Sequence, residues 1–194
     1  MATVNLNPSS TVSNQWSVIG GGNAHEELAD TNTNTGIRTP HQSRTAIFEL
    51  DNFSESYSSI TSIRHYVSGF KFNTRSGDTD IQVKIQNSSG TDLYSENHTL
   101  NFNSYNPEDH YGTARTTSDG SSAWTDSDLD GLRLNINTSP EDPDGISQAN
   151  VVKAFIEVTF ALPVGYDEDV TGVVSANIGK VLGVATANVG KVTG

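Results

Sequence analysis

Alternate aspartates are the pattern in this sequence that most resembles a site of chemistry. Asp126, Asp128 and Asp130 are followed by Gly131, which matches the first half of a calcium-binding loop, where alternating carboxylates supply oxygen ligands. The twelfth position of such a loop is normally a bidentate glutamate, and here it is Asn137. Because this ligand set is incomplete, we predict no resident metal or cofactor, with calcium at the three aspartates as the alternative. Another candidate oxygen cluster lies at Asp142 and Asp144.

The sequence contains no motif of known catalytic geometry. Its 23 acidic residues and five histidines lie in polar stretches without a recognisable pairing. His25, followed by two glutamates, lacks the second histidine four positions on that a zinc-binding helix needs. Neither Gly-x-Ser-x-Gly nor His-Glu-x-x-His occurs. We therefore predict that the chain is not an enzyme, although two glycosidase carboxylates far apart in sequence would escape such a search.

Charge and composition exclude several classes of partner. The 194 residues carry a net charge of −12 at pH 7. Nucleic-acid binding needs clustered lysines and arginines, so we predict no nucleic-acid partner, and an anionic membrane would repel the chain as well. No cysteine is present, and no apolar run approaches the ~20 residues that span a bilayer. The first residues lack a basic and apolar signal region, which predicts synthesis in a cytoplasm.

Short alternating apolar runs predict an all-β fold. Hydrophobic content is only 34%, and Gly, Ser, Thr, Asn and Asp make up much of the rest. Residues 59–73 give the longest strand candidate, with a bulge expected at Gly69. Residues 152–162 place apolar side chains at every second position, as in a strand with one buried face. We predict an antiparallel β-sandwich of the jelly-roll type over residues 14–165.

Trp124 opens the turn around which we expect the sandwich to be organised. The turn continues through an acidic segment and leads into an alternating strand over residues 132–136. A tryptophan on such a turn can close one end of a sandwich core. Residues 127–129 predict a single helical turn, which Thr125 and the neighbouring aspartates can cap. We therefore interpret this stretch as architectural.

The C-terminal segment, residues 166–194, differs in kind from the sandwich. Residues 172–182 and 183–193 are two copies of an 11-residue repeat, rich in glycine and small apolar side chains. Such a segment cannot bury enough surface to offset its own ordering entropy, so we predict an assembly arm that pairs with a neighbouring subunit; folding back onto its own domain is the alternative. Residues 1–13 predict a second, extended polar arm. The predicted assembly residues are Val173, Val174, Ile178, Val181, Leu182, Val184, Val189 and Val192.

Three motifs and the tail carry a resemblance to a known family. The motif positions are Trp16, Gly20, Gly21, Gly22, His25, Leu28 and Asp30, then Ala123, Trp124, Thr125, Asp128, Leu129 and Leu132, and last Val152, Glu157, Val158 and Phe160. The Ile-Gly-Lys-Val element of the tail is similar to terminal segments of phage virion proteins. Together these features resemble a β-sandwich family of tailed-phage structural proteins. Gly36-Ile37-Arg38 stands where that family has a tyrosine-containing segment.

The resemblance implies a virion component without enzymatic activity. Within that class we expect a capsid decoration protein that binds the major capsid protein and itself, with a trimer as the expected symmetry. A tail, neck or collar protein is the alternative. A carbohydrate-binding module is the alternative from another class, because aromatic side chains can stack on sugars. The tyrosines that could form its platform are Tyr57, Tyr66, Tyr94, Tyr105 and Tyr111.

Overall fold

Strands dominate the part of the chain that the computed structural model describes, which is residues 1–30, 32–39, 44–72, 79–101, 106–138 and 148–163, with the backbone of 180–181 and 184–185. The strands are β1 Ala2–Leu6, β2 Pro8–Asn14, β3 Ser17–Ile19, β4 Gly36–Arg38, β5 Thr45–Leu50, β6 Ser59–Lys71, β7 Thr79–Gln86, β8 Asp92–Leu100, β9 Glu108–Tyr111, β10 Arg133–Thr138, β11 Ala149–Ala161, β12 Lys180–Val181 and β13 Val184–Ala185. The helices are α1 Ala24–Ala29 and α2 Asp126–Leu129. Neither helix is long and apolar enough to cross a membrane.

Two antiparallel sheets confirm the predicted all-β sandwich. The six-stranded sheet has the order β3-β4-β11-β6-β9, with β1 also paired to β11, and the five-stranded sheet has the order β2-β5-β10-β7-β8. The hydrophobic core lies between the sheets because every second side chain of a strand points to the same face. On β7, for example, Ile81, Val83 and Ile85 are at most 1% exposed. From β4 to β11, consecutive strands lie in opposite sheets, except that β7 and β8 are neighbours in the five-stranded sheet. The hydrophobic core therefore brings together residues that are far apart in sequence.

The N-terminal residues are two strands of the sandwich, which corrects the arm predicted over residues 1–13. Strand β1 pairs with β11, and β2 pairs with β5 in the opposite sheet. Leu6 is only 2% exposed, and Pro8 is buried at the first position of β2, where its missing N–H costs no ladder hydrogen bond. Polar composition alone predicts an arm here. The spacing of Ala2, Val4 and Leu6 at every second residue instead fits a strand with one inward face.

The β-bulge predicted at Gly69 on β6 lies instead on the partner strand β11. Its register with β6 shifts between Val151 and Lys153, so the extra residue is Val152 on β11 and not Gly69 on β6. Val152 is buried but does not belong to the main core cluster, whereas every second residue from Ala154 to Phe160 does. Leu162, predicted as the last inward residue, lies beyond the strand and is 55% exposed.

The segment before the Trp124 turn contains one short strand and isolated bridges. Strand β9, Glu108–Tyr111, pairs with β6. After it, the chain makes isolated bridges, one of them between Ile63 and Arg115. Strand β9 is polar in composition because it is an edge strand. Its pairing with β6, rather than its own hydrophobicity, holds it in place.

The Trp124 turn agrees with its architectural interpretation. Trp124 is 3% exposed and belongs to the main core cluster. Its indole Nε1–H donates to the carbonyl oxygen of Arg115 at 2.8 Å. Helix α2 forms directly after it, and the Thr125 N–H donates to Asp128 Oδ2 at 2.9 Å. One turn of helix thus closes this end of the sandwich and turns the chain into β10.

Gly36 lies where only glycine fits. Its φ is +140°, and a Cβ there would overlap the carbonyl oxygen of Val151 on the neighbouring strand. We expect Gly36→Ala to lower the free energy of unfolding by about 2 kcal/mol, because the clash is with backbone and the conformation is strained for an L side chain. Urea unfolding measures this loss. Gly21→Ala is the matched control, because a Cβ at Gly21 meets open space; equal losses in both variants would contradict the assignment.

Candidate functional site

The inward face of β8 carries polar side chains at the open edge of the sandwich. Alternation along β8 turns Tyr94, Glu96, His98 and Leu100 toward the other sheet, while the residues between them, apart from half-buried Leu93, are exposed. Leu100 is fully buried, so the apolar core begins where the polar pair ends. Strand β8 is an edge strand of its sheet. Glu96 and His98 therefore lie between the sheets, close to the rim.

His65 on β6 meets this pair from the six-stranded sheet. The Nε2 atoms of His65 and His98 lie 2.7 Å apart, and their rings meet edge to face with centroids 5.0 Å apart. One of the two nitrogens must carry a proton and donate it to the other. His65 is 4% exposed, and its ring packs against Gly112, where any Cβ would overlap the imidazole. The missing side chain at Gly112 makes room for the ring.

Glu96 is held by two groups on the segment that follows β9. Arg115 Nη2 donates to Glu96 Oε1 at 2.6 Å, and the Thr113 N–H donates to Glu96 Oε2 at 2.9 Å. The carbonyl oxygen of Arg115 accepts the Trp124 indole N–H, so the tryptophan turn fixes the arginine that holds the glutamate. Two separate segments of chain thus orient one carboxylate.

His110 completes the group from β9. Its ring lies 5.3 Å from the His98 ring, measured between centroids. Its Nε2 is buried and has no hydrogen-bond partner in the described part of the chain. A buried nitrogen without a partner loses solvation without compensation. We call His65, Glu96, His98, His110 and Arg115 the histidine cluster.

Burial changes the protonation of this cluster. Desolvation, followed by repulsion from His98, lowers the pKa of His65 to about 4. Desolvation also lowers the pKa of His98, with a further contribution from His110. Burial alone would raise the pKa of Glu96, but hydrogen bonds from Thr113 and Arg115 outweigh it and lower the pKa. Near neutral pH the cluster therefore contains a neutral His65 beside an ionised carboxylate.

The cluster supplies the donor atoms that divalent transition metals prefer. One ligand atom from each of His65, Glu96 and His98 lies within 4.8 Å of the other two. Among the described residues, this is the group of three that the geometry brings within reach of one metal ion. Neutral imidazoles and a carboxylate suit zinc and neighbouring metals, whereas calcium prefers all-oxygen sites.

The aspartates considered as the alternative calcium site do not converge on one point. Asp128 accepts hydrogen bonds from the N–H and the hydroxyl of Thr125, because it caps α2. Asp126 lies inside the same helical turn, and Asp130 lies at its end. These three carboxylates do not form a group around one point in the described part of the chain. Asp142 and Asp144 lie outside the described residues.

His25 and the glycines before it have structural roles. His25 Nδ1 lies 3.0 Å from the Thr11 hydroxyl, and it does not join the histidine cluster. The carboxylate of Glu27, at 6% exposure, accepts the N–H groups of Gly21 and Gly22 at 3.0 and 2.6 Å. The Gly22 hydrogen bond is the main cause of its lowered pKa. Through Glu27, the backbone of the glycine run is thus hydrogen-bonded to α1, the helix that follows it.

The tyrosines considered as a sugar platform do not share one surface. Tyr66 and Tyr111 pair across β6 and β9, with 4.9 Å between ring centroids, and Tyr111 is 48% exposed. Tyr57 and Tyr94 pack elsewhere, each against an aromatic ring of the core. Tyr105 lies outside the described residues.

Most of the predicted assembly residues lie outside the described residues. The exceptions are the backbones of Val181 and Val184, which belong to β12 and β13. These two strands pair antiparallel with each other, and among the described strands they join neither large sheet.

Sequence reasoning missed the histidine cluster because its three histidines come from three different strands. His65, His98 and His110 are separated by 33 and 12 positions, spacings without motif value. One signal was present: Glu96 and His98 are two residues apart between Tyr94 and Leu100, all on one face of an alternating strand. Polar residues on an otherwise inward face indicate a buried polar site.

Comparison with models of known protein families finds no match, and comparison with curated proteins finds none either. Among solved structures, the chain is similar to part of an α-L-arabinofuranosidase determined with arabinose bound, at 9% identity and a TM-score of 0.46. The match covers 80% of this chain and 25% of that protein, so the chain spans about a quarter of its length. A likeness this distant carries no argument about activity or ligands.

Proposed function

We propose that the chain is a non-enzymatic structural protein of a tailed-phage virion, most specifically a decoration protein that binds the assembled capsid. The observation that carries this proposal is that β12 and β13, the described strands of the C-terminal repeat, belong to neither sheet of the sandwich. Strand β11 ends at Ala161, Pro163 follows, and β12 and β13 pair only with each other among the described strands. An apolar repeat outside a finished core is suited to pairing with another chain.

The strand order supports the same proposal. Strands β4 to β11 are divided between the two sheets in the orders β4-β11-β6-β9 and β5-β10-β7-β8, and only β7 and β8 follow each other within one sheet. We infer a jelly roll from this arrangement, a topology common in viral capsid domains. The fold by itself does not fix a function, so it supports the proposal only together with the repeat.

Charge also supports a location on the outside of the particle. With a net charge of −12, the protein would not compete for packaged DNA. Lys180 and Lys191 recur at the same position of the repeat, and they would meet the acidic surface of a neighbouring subunit. A homotrimer is the proposed symmetry, because three tails can wrap one axis. A tail, neck or collar protein would share these features and is the second candidate.

Deleting residues 171–194 is the test. We expect the truncated protein to keep a melting temperature near that of the full chain, because the described core uses no residue beyond Pro163. We expect it to lose self-association in light scattering and to lose binding to capsids in co-sedimentation. The matched control keeps the tail length and composition but scrambles the order of residues 172–193, and it should behave like the truncation.

Three outcomes would contradict the proposal. A truncated protein that still assembles and still joins particles would show that the repeat is not the assembly element. One that fails to fold would favour a tail packed onto its own domain. Binding to a glycan array, without any binding to capsids, would favour the carbohydrate-binding alternative.

A further inference from the structure

We propose that His65, Glu96 and His98 form a zinc-binding site that joins the two sheets at their open edge. The site is independent of the proposed virion role, since it uses residues of the sandwich alone. Its three ligand atoms lie within 4.8 Å of one another and come from β6 in one sheet and β8 in the other. Two imidazole nitrogens and a carboxylate oxygen are a known zinc ligand set, which leaves a fourth position open.

The ligands are already held in place. The His65 ring is fixed against Gly112, and Glu96 is fixed by Arg115 and the Thr113 N–H. Such outer contacts orient ligands at metal sites and raise their affinity. Zinc binding would therefore cost little side-chain conformational entropy at His65 and Glu96.

The distance between His65 Nε2 and His98 Nε2 requires only a small movement of the rings when zinc binds. They lie 2.7 Å apart as hydrogen-bond partners. Two nitrogens on a tetrahedral zinc ion, each bonded at about 2.05 Å, lie about 3.3 Å apart. Zinc would therefore replace the proton between the rings and push them apart by about 0.6 Å, on the figures for Zn–N bonds. Rotation of the less buried His98 side chain can supply this shift.

A further observation points to an incomplete set of partners. The buried His110 Nε2, beside His98, has no hydrogen-bond partner in the described part of the chain. A metal ion with a water molecule at its fourth position would give that nitrogen a partner. The chain has no cysteine, so a metal is also a means of cross-linking the sheets that does not need a disulfide.

The experiment uses the untagged full chain, because a polyhistidine tag would itself bind metal. The protein is stripped with EDTA, desalted and titrated with Zn²⁺ by calorimetry at pH 7.5. We expect one zinc per chain with a micromolar or tighter Kd, and a higher melting temperature that EDTA reverses. His98→Gln should weaken binding at least 100-fold. His25→Gln, which removes a histidine outside the cluster, should bind zinc like the wild type.

The proposal is overturned if the wild type binds no zinc, or if His98→Gln binds as tightly as the wild type. Equal losses in His98→Gln and His25→Gln would also overturn it, because binding would then lie elsewhere. If His98→Gln does not fold, X-ray absorption of the zinc-loaded wild type decides: two imidazoles and a carboxylate are expected around the metal. Fewer than two imidazoles would rule the site out.

Discussion

Replacing Trp124 with alanine is expected to lower the free energy of unfolding by about 3–5 kcal/mol. The side chain is 3% exposed, belongs to the main core cluster and lies beside Tyr94. Its removal leaves a cavity, and it also leaves the carbonyl oxygen of Arg115 without its indole partner. For a domain of this size, such a loss lowers the melting temperature by roughly 10 °C. Calorimetry or thermal circular dichroism measures the change.

Two further variants separate the causes of that loss. Trp124→Phe keeps most of the ring and removes the N–H donor, so it should cost about 1–2 kcal/mol. Leu162→Ala removes an apolar side chain that is 55% exposed, and it should change stability by less than about 0.5 kcal/mol. A Trp124→Ala protein that melts within a degree or two of the wild type would place this tryptophan on a binding surface instead of in the core.

Acid is expected to destabilise the metal-free protein through His65. Its pKa is about 4 in the fold, whereas an unfolded histidine titrates near 6.5. Between these values the unfolded chain binds a proton that the folded chain does not bind, so the free energy of unfolding falls as the pH falls. The loss begins below pH 6.5, is complete near pH 4 and amounts to roughly 3 kcal/mol.

The groups facing His65 act in the same direction or limit the effect. His98 has a lowered pKa as well, and it adds to the loss over the same range. The negative charge of Glu96 raises the pKa of His65 and so limits the loss. Because the pKa of Glu96 is itself lowered in the fold, its ionised form contributes stability above the unfolded pKa, and this contribution is lost as the pH falls. The positive charge of Arg115 opposes protonation of His65, and His110 flanks His98.

Urea unfolding at several pH values in EDTA measures this dependence. His65→Gln should flatten the stability profile between pH 6.5 and pH 4.5, because the buried titrating ring is gone. His25→Gln is the matched control and should keep the wild-type slope, because His25 lies outside the histidine cluster. A wild-type profile that stays flat over this range would mean that His65 is not buried in its neutral form.

The strands were predictable from sequence where alternation is strong. The residues Ile81, Val83 and Ile85 alternate with polar ones, and this spacing alone places β7 with one face in the core. The Trp124 turn was predictable for a similar reason, since Thr125 and Asp128 have the local spacing of a helix cap. Local residue spacing determines these elements, so they can be predicted from the sequence.

Other elements depend on their neighbours. Strand β9 is too polar to be recognised as a strand from its sequence, and it forms because its backbone pairs with β6. The polar composition of the N-terminal residues predicts an arm. Residues 2–6 form a strand instead, because β11 is long enough to pair with both β1 and β4 along one edge. The bulge at Val152 turns that residue to the other face, which the unbroken apolar alternation of the sequence did not indicate. Pairing between distant segments decides such features.

The sequence by itself determined an all-β sandwich, an acidic surface, a chain without thiols and an 11-residue repeat after the last long strand. Only the tertiary structure decided which polar residues meet. His65 and Glu96 lie 31 positions apart, and they become neighbours because β6 and β8 belong to opposite sheets that pack face to face at one edge. Alternation fixes which way a side chain points, but the packing of the sheets fixes what it points at.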